Sequence, residues 1–125
     1  MPDPTVGSPV PVSEGSLDGE DAKLVTLARG AQARAGAAEG AAVRDQDGRT
    51  YATATVALPH LALTALQLAV ASAAAAGARR LEAAALVTDA ATVEVAGHAA
   101  VRDLSADAPI HVAAPDGTLR GTVTS

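Results

Sequence analysis

Cysteine, phenylalanine and tryptophan are absent from this chain of 125 residues, and tyrosine and methionine occur once each. Without cysteine there is no disulfide framework, no thiolate to hold a metal and no thiol nucleophile. Without large aromatics the core has to be filled by Leu, Val and Ala. Alanine buries little apolar area per residue, so association with further copies of the chain is an expected route to adequate stability. A basic surplus is missing too: nine Lys and Arg stand against fourteen Asp and Glu, a formal charge of -5. Asp3, Glu14, Asp18, Glu20 and Asp21 all precede the first base, Lys23, and the remainder is balanced at nine acids to nine bases. Phosphate backbones are gripped by clustered Lys and Arg, so nucleic acid is not an expected partner. The N-terminus is Pro-rich and acidic where a leader needs a basic start and an apolar run, which makes the cytoplasm the expected compartment.

What is present reads as one domain behind a tail. Residues 1-19 carry Pro2, Pro4, Pro9 and Pro11 among Gly, Ser and acids, a composition that cannot bury enough apolar surface to offset ordering, and a disordered tail is expected there. Residues 20-125 are expected to form a single folded domain. Apolar positions at Leu24, Leu27, Ala28, Ala31 and Ala35 recur at helical spacing, with Asp18 as N-cap and Gly36 as stop. Strands at Gly40 to Arg44 and Thr50 to Ala57 flank the hairpin turn Asp45-Gln46-Asp47-Gly48. Pro59 marks the start of a second helix, Leu61 to Ala76, closed by Gly77. That helix has no charge on any face, so it is expected inside the domain or between subunits. It is shorter than the roughly 20 residues of a membrane span and is interrupted by Thr64, Gln67 and Ser72, so no membrane partner is expected. A strand over Leu81 to Thr88, a short helix over Gly97 to Leu104, and strands at Pro109 to Ala113 and Thr118 to Val123 complete the chain. Helices alternating with strands after an opening hairpin imply an α/β fold, a mixed five-stranded sheet with helices on both faces.

Several of these segments together resemble the small, homotetrameric type of cytidine deaminase over about Glu20 to Val123. Glu39-Gly40-Ala41-Ala42-Val43 followed by Asp47-Gly48-Arg49-Thr50-Tyr51 is similar to the family's Val-Gly-Ala-Ala stretch and Asp-Gly-X-X-Tyr hairpin. Leu63 to Ala69 falls where the family begins its central helix around Cys-Ala-Glu, and Pro109 to Gly117 is similar to its Pro-Val-Leu-Leu-X-X-X-Asp-Gly strand and turn. The resemblance implies the three-layer cytidine deaminase fold, a zinc cofactor and hydrolytic deamination of a pyrimidine nucleoside.

The residues for that chemistry do not follow the scaffold. Zinc deaminases hold the metal with three protein ligands, activate a bound water and move its proton with a glutamate. In family register Thr64 stands at a ligand position and Leu66 at the glutamate position. The Pro-Cys-X-X-Cys motif falls near Ala96-Gly97-His98-Ala99-Ala100. The family's ribose-reading Asn-X-Glu is Thr55-Val56-Ala57, and its preceding Phe-Pro is Ala37-Ala38. No catalytic, substrate-binding or metal-ligating residue is therefore assigned. No zinc is expected despite the family, and no small-molecule ligand is expected. Of three histidines, His98 is a candidate surviving or relocated ligand or else a surface or helix-start residue, His60 a helix-start residue, and His111 a packed or edge side chain of a short strand. Arg79-Arg80 is expected to complement a helix C-terminus, and Asp89 and Glu94 are expected to be solvated.

Three readings follow from the sequence. The first is a non-catalytic, structural or regulatory homo-oligomer on the deaminase scaffold. The second is an enzyme, either an active cytidine deaminase or one with a site rebuilt in the same cleft. The third is an interaction module whose acidic tail engages a basic partner.

Overall fold

The structure, a computed structural model, describes residues 17–125. It opens with helix α1 (Gly19–Ala35), which starts where Asp18 accepts a hydrogen bond from the Asp21 N–H at 2.8 Å. Glu20 and Asp21 occupy the first turn, where the helix dipole favours anions. Gly36 ends the helix in the left-handed conformation at φ 59°, its N–H turned back to the Gln32 and Ala33 carbonyls. Of the expected tail, residues 1–16 lie outside the described part. Leu17 packs against the core under α1, and Gly19 already belongs to the helix.

Strands β1 (Gly40–Asp45) and β2 (Thr50–Ala54) form the expected hairpin. Asp45 locks its turn: the buried carboxylate accepts the Asp47 and Arg49 N–H groups at 2.9 and 3.0 Å and the Tyr51 hydroxyl at 2.8 Å. The chain continues through β3 (Val56–Leu58), β4 (Leu61–Leu63), helix α2 (Ala65–Ala75), β5 (Leu81–Val87), helix α3 (Val95–Leu104), β6 (Ile110–Ala113) and β7 (Leu119–Val123). The main sheet runs β2-β1-β5-β6-β7, with only the β5/β6 pair parallel. This is the expected mixed five-stranded sheet of an α/β fold. Alternate side chains divide the core by face. Ala42, Ala83, Ala85, Val87 and Ala113 meet Leu24, Val25 and Ala28 of α1. On the other face Ala41, Val43, Ala84, Leu86 and Ile110 meet Leu66, Ala69, Val70 and Ala73 of α2 and Val101 of α3.

Two expectations need correction between residues 50 and 65. The strand expected over Thr50 to Ala57 breaks at Thr55, because Thr55 is held by Glu39: its N–H donates to the Glu39 carbonyl at 3.1 Å and its hydroxyl accepts the Glu39 N–H at 3.1 Å. Beyond that anchor the chain leaves the sheet, and Val56 to Leu58 pairs with Leu61 to Leu63 as a separate two-stranded hairpin. Pro59 and His60 are therefore the tip of that hairpin and not the start of a helix. Helix α2 begins four residues later than expected, at Ala65, because Thr64 and Gln67 close a capping box at that point. Among the described residues no helix is long and apolar enough to cross a membrane.

A polar network pins the start of α1 to the sheet. Arg44 of β1 donates through Nη2 to Asp21 Oδ1 at 2.9 Å and through Nε to Glu82 of β5 at 3.0 Å. His111 of β6, packed in its strand as expected, lies 2.8 Å from Asp21 Oδ2 through Nε2 and 2.8 Å from the Thr122 hydroxyl of β7 through Nδ1. Burial pushes the Asp21 carboxyl upward, but the hydrogen bonds from Arg44 and His111 outweigh it and hold the group below the usual carboxylate range.

With the folded pKa depressed, the Asp21 carboxylate stabilises the fold fully above its unfolded pKa of about 3.9, and that contribution is lost as pH falls through the folded value. Asp21→Asn is expected to lose ~1–3 kcal/mol near neutral pH. Urea unfolding at neutral pH and again in strong acid should show the gap between variant and parent closing in acid. A gap of constant size would contradict this account.

Candidate functional site

The starts of α2 and α3 come together on one face of the sheet, beside the β3/β4 hairpin. Thr64 is extended at φ -68° and ψ 157°, and its hydroxyl accepts the Gln67 N–H at 3.0 Å. Gln67 answers by accepting the Thr64 N–H through Oε1, also at 3.0 Å. This reciprocal pair satisfies two donors that a helix start otherwise leaves orphaned, and it occupies the Thr64 oxygen. Ala65 is fixed by Thr53 of β2, whose hydroxyl donates to the Ala65 carbonyl at 2.6 Å. Leu66, next in the helix, is completely buried in the core between α2, α3 and the sheet.

Helix α3 approaches so closely that a Cβ placed on Gly97 would lie 3.0 Å from the Leu66 Cβ and 2.0 Å from Glu94 Oε1. Only glycine fits there. Glu94 precedes the helix at the N-cap, its side chain makes no capping bond, and both carboxylate oxygens are shielded from solvent without a hydrogen-bond partner among the described residues. The expectation that Glu94 is solvated is thus corrected: its side chain folds back over Gly97 toward Leu66. Asp89 is exposed, as expected.

The remaining residues singled out in the sequence are dispersed. His98 points away to the chain's last residue, with Nε2 2.7 Å from the Ser125 carbonyl. His60 is exposed at the hairpin tip, and His111 belongs to the network under α1. Arg79 and Arg80 are exposed, and their N–H groups both donate to Gln46 Oε1 at 3.1 Å. Among the described residues no three His, Cys, Asp or Glu side chains gather as a metal site would require. Thr55, Val56 and Ala57, with Ala62, Leu63 and Gln67, border a shallow hollow of about 270 Å³ next to Thr64. Its walls are chiefly methyl and methylene groups, and its side-chain oxygens are engaged: Thr55 Oγ1 with Glu39, and Thr64 Oγ1 and Gln67 Oε1 each with the other's backbone N–H.

Sequence reasoning named Glu94 but placed it in solvent, and it missed the Asp21–His111 contact. An acid directly before a helix signals a cap, which Glu94 does not form, so its burial had no local signal. Nothing local links Asp21 to His111, which are 90 residues apart and meet only through the sheet.

A family model described as Cytidine deaminase-like matches residues 17–117. Among solved structures, the crystal structure of cytidine deaminase from Burkholderia pseudomallei is similar, with a TM-score of 0.72 and 21% sequence identity, covering 82% of this chain and 90% of that one. At that identity the likeness is one of fold. No curated protein matches the chain.

The local packing makes the two key positions separable by mutation. Thr64→Ala is expected to cost about 1 kcal/mol through loss of the cap. Leu66→Glu, which puts an uncompensated charge beside Gly97 and the Glu94 carboxylate, is expected to cost ~3–5 kcal/mol, whereas Leu66→Met stays within ~1.5 kcal/mol. Equilibrium denaturation reads all three, and a Leu66→Glu chain as stable as its parent would show that the site is open to water.

Proposed function

The chain belongs to the cytidine deaminase-like family, and from that membership we propose that it is a non-catalytic member, a structural or regulatory protein that acts as a homo-oligomer. The observation that carries this reading is the pairing of a fully buried Leu66 with a Thr64 hydroxyl already engaged in its own helix cap. A catalytic zinc needs three protein ligands and an open position for water. At the two helix starts the chain offers one committed hydroxyl, the single carboxylate of Glu94, the methyl groups of Ala96, Ala99 and Ala100, and a His98 ring held by the Ser125 carbonyl, short of three converging ligands. These residues do not fit a zinc ion. Nucleoside recognition fares no better at Thr55-Val56-Ala57, where the hydroxyl is bonded to Glu39 and the other side chains are hydrocarbon.

Apolar groups left exposed around the same region support the oligomeric part of the reading. Leu58 and Leu61 at the hairpin are 58% and 51% exposed, Val95 at the start of α3 is 84% exposed, and Ala71, Ala74 and Ala75 line the outer side of α2. No charge interrupts α2, so covering this surface would strand no ion.

The Glu94 carboxylate favours a second reading, an enzyme with a rebuilt site. It lies beside Leu66 and Gly97, close to where the family places its glutamate, and has no hydrogen-bond partner among the described residues.

Incubation with cytidine or deoxycytidine and zinc, followed by ammonia release, is expected to give no turnover above the uncatalysed rate. Zinc-dependent turnover would overturn the non-catalytic reading, and its loss in Glu94→Gln would install the second. In light scattering at micromolar concentration more than one copy is expected. The pair Leu61→Asp and Ala74→Arg should reduce the particle to a monomer, and a monomeric parent chain would remove the oligomeric part.

A further inference from the structure

On the opposite face of the sheet a larger groove runs between α1 and the turn joining β6 to β7, with a volume of about 400 Å³. That size falls in the roughly 300–1,000 Å³ range of small-molecule sites, which pair mostly apolar walls with a few placed polar groups. Here the walls are Leu17, Ala22, Val25 and Leu119, with Thr26 on the rim. The placed group is Arg29. Its Nε donates to the Pro115 carbonyl at 3.1 Å, which ties the guanidinium to the turn.

Gly117 makes that placement possible. It sits at φ 95°, and a Cβ there would come within 2.9 Å of Arg29 Nη1 and 3.2 Å of Cζ. The nearest acid on the turn, Asp116, accepts the Thr118 N–H at 2.8 Å, and no carboxylate among the described residues forms an ion pair with Arg29. The terminal nitrogens of an oriented arginine therefore stand at the edge of a hydrocarbon groove. A guanidinium presented as a fork is matched by a carboxylate, which can take two parallel hydrogen bonds.

We infer that this groove binds a small amphipathic acid, with its carboxylate on Arg29 and its alkyl or aryl body along Val25 and Leu119. The inference departs from the expectation that the chain binds no small-molecule ligand. It stands whether or not the cleft on the other face is catalytic.

The test is titration of the full chain with octanoate, followed by calorimetry and by the methyl resonances of Val25 and Leu119. Saturable binding with shifts confined to those methyls is expected. Octanol, with the same chain and no charge, and the Arg29→Gln variant with octanoate should each bind at least about tenfold more weakly, the effect of removing a charge-assisted hydrogen bond. Thr26→Trp, at an exposed rim position that should not disturb folding, should abolish binding. Equal affinity for octanol, or an undiminished affinity in Arg29→Gln or Thr26→Trp, would overturn the assignment. A groove already filled by another part of the chain would give no binding, and that result would overturn it as well.

Discussion

The structure depends on how closely its backbones approach one another. With no Phe or Trp to fill space, the layers meet through Ala and Gly, and the sheet's central strand β5 buries Ala83, Ala84 and Ala85 in succession. At Gly40 a Cβ would lie 2.1 Å from the Ala28 carbonyl oxygen, so α1 rests almost directly on β1. At Gly97 the contact is between α3 and Leu66 of α2. Small side chains gain little from the transfer of area out of water, and close packing compensates by bringing more atoms into dispersion contact. The few large side chains then act as keystones: Leu24 under α1, Leu66 under α2, and Leu86 and Ile110 between them, all fully buried.

Such a core specifies poorly how a helix is placed along the sheet, since alanine surfaces are nearly featureless. Directional polar contacts supply the missing register. Asp21 links α1 to Arg44 on β1 and His111 on β6, and through them to Glu82 on β5 and Thr122 on β7, so one carboxylate reaches four of the five strands. Partly buried charges of this kind add modest net stability, because desolvation offsets much of their attraction. Their geometric demand is strict, and that is what an alanine interface lacks.

The same physics explains what was legible in the sequence. The α/β class, α1 with both its caps, the β1/β2 hairpin and the five main strands follow from periodicity and turn residues, which act over a few positions. The split at Thr55 was not legible, because it arises from Glu39, sixteen residues away, whose backbone recruits the Thr55 hydroxyl and N–H. The late start of α2 was within reach: Thr64 followed three residues later by Gln67 is a capping-box pattern, obscured by an apolar run that reads as helix from Leu61 onward. At the candidate site Thr64, Leu66 and the Ala96 to Ala100 stretch could be picked out from the sequence. The burial of Glu94 could not, since it depends on a glycine that leaves room for the carboxylate to fold back over α3.

A fold does not impose a chemistry, and this one separates its two faces cleanly. In a metal-dependent site on the α2 and α3 side, a glutamate at position 66 would carry charge into the densest part of the core, a cost that is repaid when the charge works against a cation. Leucine at that position exchanges the cost for a gain of ~1.5–3 kcal/mol from burial. In an alanine-rich domain with little apolar area to spare, that exchange is large relative to a net stability of roughly 5–15 kcal/mol. A non-catalytic chain is therefore expected to keep Leu66 under selection for folding alone. The α1 face carries no such trade, because Arg29 is held by the Pro115 carbonyl at an exposed edge and costs the core nothing.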